Sequence, residues 1–478
     1  VSVKRLLRLF GVWAGLCAPL AAQVTPAILR ADLEEHVRFL ASDELAGRKA
    51  GSPESVAVAH YLAEALAECG LEPAGDDKSF LQLVPFQRER YSALPELRLL
   101  AAQERNATHG ADFVVRQGSP GGEVQVVLVR VAEDLPDEAD AETCLCFVAV
   151  HRSRARSWLR KAGFSHGRGF GLVLSPARRE SPANPEPPAV GRLHLPPQTQ
   201  ETSVAWLEYG EEFGALIVAA VEEEGRASLA FDLHWELQPR PSFNVVGRLP
   251  GVASAARPEL AREAVVISAH HDHLGIRAIP GAGETADTIF NGADDDASGV
   301  ACVLELAAAC AAGPAPAREL IFLLATAEEI GIVGTTYYLD HPSTPLEETV
   351  LNLNFEMLGR PDESIGGSGN LWLTGGARTN LLAAFEEAKL DIFDDPHPQQ
   401  NFFQRSDNIV FVRRGIVGQT LSSYNLHKDY HTPRDDADSL DYAHLEAATK
   451  VAFEALSLVA TGSLDPIWLP GQQPGQRR

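Results

Sequence analysis

From residue 241 onward, short apolar runs alternate with helical stretches, and this alternation limits the possible folds more than any other feature of the chain. REAVVISAHHD opens on a strand-like run, and ASGVACVLELAAACAAG follows as a helix. RELIFLLATAEE and ETVLNLNFEM read as further strands, LLAAFEEAKL as a helix, and LEAATKVAFEALSLVATG as a closing amphipathic helix. Such alternation calls for helices on both faces of a largely parallel sheet. The predicted fold class is therefore α/β, with a mixed, mostly parallel central sheet flanked by helices.

In open sheets of this kind, functional groups collect beyond the carboxyl ends of the strands. The residues that follow each predicted strand are acids and histidines. AVVISA runs into HHDH at 270–273, LIFLLATA into Glu328 and Glu329, and VLNLNF into Glu356. NGADDDASG at 291–299 puts Asp294, Asp295 and Asp296 in a row just before a helix, where an N-terminus favours anions. HKDYHTPRDD adds His427, Tyr430 and His431. So many like charges on one rim repel one another unless cations neutralise them.

A pair of zinc ions meets that requirement. His270, Asp294, Glu329, Glu356 and His431 are the predicted ligands, nitrogen and oxygen donors suited to zinc. Their three carboxylates and one shared hydroxide balance two dications. One carboxylate can bridge two metals ~3.5–4 Å apart, and Asp294 is the residue expected to do so. Asp272 is expected to hold the His270 ring, since a metal-bound imidazole usually donates its other N–H to a carboxylate. His271 and His273 read as ordinary rim histidines. Each of these pieces alone has a bland reading as a cap or a solvated acid. Together, in this order and at strand ends, they do not.

The remaining sequence sets the context. A formal net charge of −24 argues against nucleic acid and anionic membrane as partners. Residues 1–22 carry Lys4, Arg5 and Arg8 ahead of an apolar run from Leu9 to Leu20, the pattern of an export signal that leaves no stable membrane insertion after cleavage. A secreted or periplasmic protein is the expectation. Cys69, Cys144, Cys146, Cys302 and Cys310 fit no zinc or disulfide spacing and read as buried thiols, with one bridge possible. ILRADLEEHVRFLAS and SPESVAVAHYLAEALAECGL are helical in pattern, with Ser52 or Ser55 as cap and Gly70 as stop. Between about 95 and 240 the texture changes to β-like runs (VQVVLVR, CLCFVAV, GFGLVLS), a basic helical stretch RSRARSWLRKAG and a Pro-rich break SPANPEPPAV. This reads as a separate small β/α module.

AHHDHLG, NGADDDASG, ATAEEIGIVGT, NLNFEMLGR and DYHTP, taken in order, resemble the signature segments of M28-type zinc aminopeptidases, as do HVRFLASDELAGRKAGSP and SFNVVGRLPG. The resemblance covers roughly 30–90 and 241–460. It implies a peptidase domain built from 23–95 and 241–462, an inserted protease-associated (PA)-like domain at 96–240, and a flexible tail at 463–478. It implies one zinc on His270 and Glu356, the other on Glu329 and His431, with Asp294 shared. Glu328 would be the general base, Tyr430 would steady the tetrahedral intermediate, and a cis peptide would join Asp294 to Asp295. The implied activity is hydrolysis of N-terminal residues from peptides. Carboxypeptidase, glutaminyl cyclase and a non-catalytic binding ectodomain are the alternatives on this scaffold. Asn408 in RSDNIVF, where many relatives carry His, is given no role.

Overall fold

The computed structural model describes residues 28–473, apart from 92, 118–121, 130–144, 150–169, 177–192, 196–204, 226, 233, 234, 280, 282 and 284. The export-signal reading, the basic stretch at 152–163 and the Pro-rich break lie outside the described residues. The chain forms two compact units. One takes the described residues up to Ala50, then Ala57–Gln82, then Phe243 onward; the other takes Gly51–Val56 and the described part of Leu83–Ser242.

The larger unit contains a mixed sheet. Eight of its nine strands are β1 (Glu72–Pro73), β2 (Ser242–Leu249), β3 (Ala264–His270), β4 (Glu319–Ala325), β5 (Thr349–Phe355), β6 (Leu371–Leu373), β7 (Ile392–Asp394) and β8 (Val417–Ser422), their path runs β1-β2-β4-β3-β5-β8-β6-β7, and the ninth, Leu81–Val84, pairs with β2. The centre, β4-β3-β5-β8, is parallel throughout. β2 joins β4 antiparallel, and β6 joins β8 antiparallel. The fold is thus the mixed, mostly parallel α/β sheet that the apolar runs predict.

Helices cover the sheet. Among them are α1 (Arg30–Leu40), α2 (Pro53–Glu68), α3 (Gly299–Ala312), α4 (Val333–Asp340), α5 (Asn408–Arg413) and α6 (Tyr442–Ala460). On α1, Leu33, Val37 and Leu40 recur at helical spacing and are fully buried, and the helix packs against α3 and α6. Burial of each such side chain contributes ~1.5–3 kcal/mol. Ser52 caps α2, its Oγ accepting the Ser55 N–H at 3.2 Å, and Gly70 turns the chain beyond that helix at φ +85°. Cys302 and Cys310 lie along α3 as free thiols, and burial pushes the Cys310 thiol up to about 12. None of the described helices is long and apolar enough to cross a membrane.

The sheet interior also carries a polar chain. Asn352 Nδ2 donates to Ser268 Oγ (2.8 Å), Ser268 Oγ to Asn354 Oδ1 (2.8 Å), and Asn354 Nδ2 to Ser406 Oγ (2.8 Å). Asn408, given no role from sequence, ties α5 to β8, its Oδ1 accepting Thr420 Oγ1–H at 3.1 Å. Buried polar groups paired in this way fix the register of β3, β5 and β8 at their carboxyl ends.

The smaller unit is built on a second mixed sheet, with strands Gly122–Val129, Leu145–Ala149, Phe170–Pro176 and Ala205–Tyr209 in parallel at its centre, and with a helix at Glu211–Glu224. Its main segment begins at Leu83, where the sequence texture placed the boundary at 96. The reason is that Gln87–Tyr91 pairs with Trp235–Pro239 at the far end of the same unit.

Candidate metal centre

Four adjacent parallel strands deliver the site. His270 is the last residue of β3, Glu328 and Glu329 follow β4, Glu356 follows β5, and the segment after β8 leads to Tyr430 and His431. Three turns beside these groups use left-handed backbone on side-chain-bearing residues: Ala327 (φ 61°), Met357 (φ 56°) and His431 (φ 54°). Each costs ~1–3 kcal/mol and persists only where surrounding structure holds it, as at functional sites.

The Asp run reaches the same rim through NGADDDASG, whose two glycines are sterically required. Gly292 has φ +62°, and a Cβ there would sit 2.3 Å from the Asp295 carbonyl and 2.5 Å from the His273 ring. A Cβ on Gly299 would meet Asp296 Oδ1 at 2.4 Å.

The three aspartates then divide the work. Asp295 is central. Its Oδ1 lies 3.2 Å from His270 Nε2, and its Oδ2 lies 3.0 Å from His431 Nε2 and 3.9 Å from His273 Nδ1. Asp294, expected as the bridge, turns the other way. Its Oδ1 accepts the Gly359 N–H at 2.7 Å, and its Oδ2 lies 3.0 Å from His427 Nε2. Asp296 anchors the helix start: Oδ1 accepts from Gly299 N–H (3.1 Å) and Met357 N–H (3.0 Å), and Oδ2 accepts from His270 N–H (3.2 Å). The cis peptide likewise joins Asp295 to Asp296, one bond later than expected. Asp294 as the shared carboxylate is therefore corrected to Asp295. Both oxygens of Asp294 are already engaged, and one step along the chain reverses the direction of the side chain.

Two overlapping donor sets result. The donor atoms of His270, Asp295 and Glu356 lie within 4.8 Å of one another, as do those of His273, Asp295 and Glu329. His431 Nε2 approaches Glu329 Oε1 to 3.4 Å, and His273 Nδ1 approaches it to 2.7 Å. Four inward atoms have no hydrogen-bond partner: His270 Nε2, His273 Nδ1, Glu329 Oε1 and Glu356 Oε2. Orphaned imidazole nitrogens and carboxylate oxygens converging in a buried space fit a pair of divalent cations. Of the ligands expected from sequence, His270, Glu329, Glu356 and His431 come together and Asp294 does not. His273, expected as a rim residue, joins the second set.

Asp272 also departs from expectation. The His270 ring is held through Nδ1 by the main-chain carbonyl of Asp272 at 3.1 Å, while the Asp272 carboxylate stays 3.9 Å away. That carboxylate instead accepts the Glu328 N–H at 3.0 Å and so fixes the backbone beside the candidate base. Burial raises the Asp272 carboxyl to about 7. Burial also pushes Glu328 well above the ordinary glutamate range, with Glu356 and Asp407 adding to it. Asp295 moves the other way: burial opposes its charge, but contact with His270 and His431 holds it well below the usual carboxylate range. Glu328, Tyr430, His431, Asp295 and Glu356 all line one cleft. The Tyr430 and His431 rings stack at 3.8 Å between centroids.

Two further residues hold the Asp loop, and sequence reading missed both. Arg48 is fully buried and donates to the carbonyls of Leu40 (3.1 Å), Asn291, Gly292 (2.6 Å) and Asp295 (3.3 Å). Asp435 accepts the Asp294 and Asp295 N–H groups, one on each oxygen, at 3.0 Å. Burial raises the Asp435 carboxyl to about 8. The signal for Arg48 was a charged residue inside the glycine-rich DELAGRKAGSP connector. Arg48→Ala is expected to destabilise the protein by ~3–5 kcal/mol, because it leaves buried carbonyls and acids without their cation. Arg48→Lys should cost about half of that, since the ammonium lacks the planar fork. Urea unfolding of the three proteins checks both, and a loss under about 1 kcal/mol for alanine would show that the clamp is idle.

Parallel strands ending in a shared-carboxylate donor cluster define an α/β scaffold with a candidate dinuclear metal centre. Residues 244–456, a little under half of the chain, match the model of peptidase family M28. A vacuolar membrane protease of Lachancea thermotolerans is 29% identical over 228 residues, covering 45% of this chain and 21% of the relative. A probable leucine aminopeptidase 2 of Aspergillus oryzae is 33% identical over 130 residues, covering 26% of each. The chain thus spans about a fifth to a quarter of the length of these curated relatives. Among solved structures, the aminopeptidase from Aneurinibacillus sp. strain AM-1 shares the fold at a TM-score of 0.50 and 20% identity, over 92% of this chain and 95% of that one.

Proposed function

We propose that the protein is a dinuclear zinc aminopeptidase. The observation that carries this reading is the pair of donor sets meeting at Asp295 in the wall of the cleft that Glu328 also lines. His270, Asp295 and Glu356 would hold one zinc. Asp295, Glu329 and His431 would hold the other, with His273 beside them. Zinc held there supplies Lewis-acid chemistry toward water and the scissile carbonyl.

The chain's own groups supply the rest. Glu328, raised by burial, is fitted to take a proton from the attacking water and return it to the leaving amine. The Asp272 bond to its N–H keeps the Glu328 backbone in place. Tyr430 keeps its hydroxyl protonated, because burial and the acids Asp295, Glu356 and Glu329 hold its pKa well above the ordinary phenol range. It can therefore donate to the oxyanion that develops on the carbonyl. The Lys/Arg-flanked apolar run at the N-terminus supports export, with peptides outside the cytoplasm as substrates.

The test is a panel of aminoacyl p-nitroanilides beside N-blocked and C-terminal substrates. Free N-terminal substrates should turn over. A chelator should lower turnover by at least ~10³-fold, and about two equivalents of zinc should restore it. Cleavage of blocked substrates alone, or turnover indifferent to chelator, would overturn the reading.

A further inference from the structure

The cleft carries two hydrogen-bond donors that the proposed chemistry does not use. Arg405 is exposed on its wall, and its guanidinium carbon lies 5.1 Å from the centroid of the Phe402 ring. Among the described residues its guanidinium has no ion pair with a carboxylate. Trp372 is only 2% exposed, stacks on Phe402 at 5.3 Å, and leaves its indole Nε1 buried without an acceptor. Trp372 lines the same cleft, and an unpaired buried N–H is costly and rare, so an acceptor that reached it would be favoured. Tyr424, Met357, Thr374 and Ser422 add neutral wall to the same cleft, whose acids Asp295, Glu328 and Glu356 belong to the proposed metal and base groups.

We infer that this end of the cleft reads a carboxylate on the substrate, one distinct from the scissile end. A carboxylate offers lone pairs to both unused donors and forms a charge-assisted bond with a guanidinium. A neutral apolar side chain would cover Arg405 and give nothing back for its lost hydration. A cationic side chain would be repelled. Two sources present that chemistry: the side chain of an N-terminal Glu or Asp, and the C-terminal carboxylate of a dipeptide. The inference rests on the exopeptidase reading above and adds the substrate class to it.

The experiment uses the full-length zinc-loaded protein and its Arg405→Met, Arg405→Lys and Trp372→Phe variants. Glu-p-nitroanilide against Leu-p-nitroanilide tests the side-chain source, and Leu-Leu against Leu-Leu-amide tests the C-terminal source. The wild type should favour the carboxylate-bearing member of at least one pair. Arg405→Met should cut that kcat/KM ratio by ~10–100-fold, mainly through KM, with Arg405→Lys recovering part of it. Trp372→Phe should cut it by ~3–10-fold. Whichever pair responds identifies the source.

If Leu-p-nitroanilide is hydrolysed but neither ratio responds to Arg405→Met, the inference falls and the peptidase reading stands. If the wild type hydrolyses nothing, the peptidase reading falls, and calorimetric binding of L-glutamate against L-leucine decides the inference by itself. Tighter L-glutamate binding that is lost in Arg405→Met supports it, and equal binding overturns it.

Discussion

Glu328→Gln is expected to lower kcat by ~10²–10⁴, the range for a positioned acid–base group, while the protein keeps its zinc. The substitution is nearly isosteric and removes only the ability to accept and return a proton. Asp272 bonds the main-chain N–H of residue 328, not its side chain, so the loop after β4 keeps its anchor. Glu329 faces the opposite way, against His273 and His431, so the metal-binding side of the Glu pair is untouched. The expected pattern is a fall in kcat with little change in KM, which marks the loss of a transition-state interaction and not of binding. Elemental analysis beside steady-state kinetics reads both quantities. Turnover near the wild-type rate with zinc in place would remove Glu328 from the base role and move attention to Asp272 or Asp407, two further buried acids that act on His270.

The parts of this site that could be read from sequence share one property: each donor follows directly on a strong strand signal. β3, β4 and β5 are short, largely apolar runs with a single reading, so His270, Glu329 and Glu356 inherit their positions from the strand ends. What failed was register and long-range contact. Three identical aspartates carry no mark of which one faces inward. The choice depends on a backbone path set by Gly292 and by Asp435, which lies 140 positions from Asp295. Arg48 reaches the Asp295 carbonyl across 247 positions, a separation over which no periodicity survives. Asp272 was misread for the opposite reason. It lies so near His270 that its own main-chain carbonyl meets the ring N–H before the carboxylate can. His273 gave no signal because its approach to Glu329 exists only once β3 and β4 are paired.

The register of the Asp run makes the sharpest forecast, because neighbouring, chemically identical residues should behave in opposite ways. Asp295→Asn takes from both donor sets the one carboxylate they share. It removes a negative charge and leaves an amide that cannot serve two cations. Zinc content is expected to fall from about two per chain to below one, and turnover by at least ~10³-fold, since both sites weaken together. Asp294→Asn should keep its zinc. The amide oxygen can still accept the Gly359 N–H, and the amide nitrogen can donate to His427, so the loop remains tied. Its cost should stay within the ~10–100-fold typical of a supporting contact around a metal site. Zinc content and kcat/KM measured on both variants decide between the two registers. A protein that loses its metal on Asp294→Asn and keeps it on Asp295→Asn would return the bridge to Asp294 and undo the donor geometry on which the peptidase reading depends.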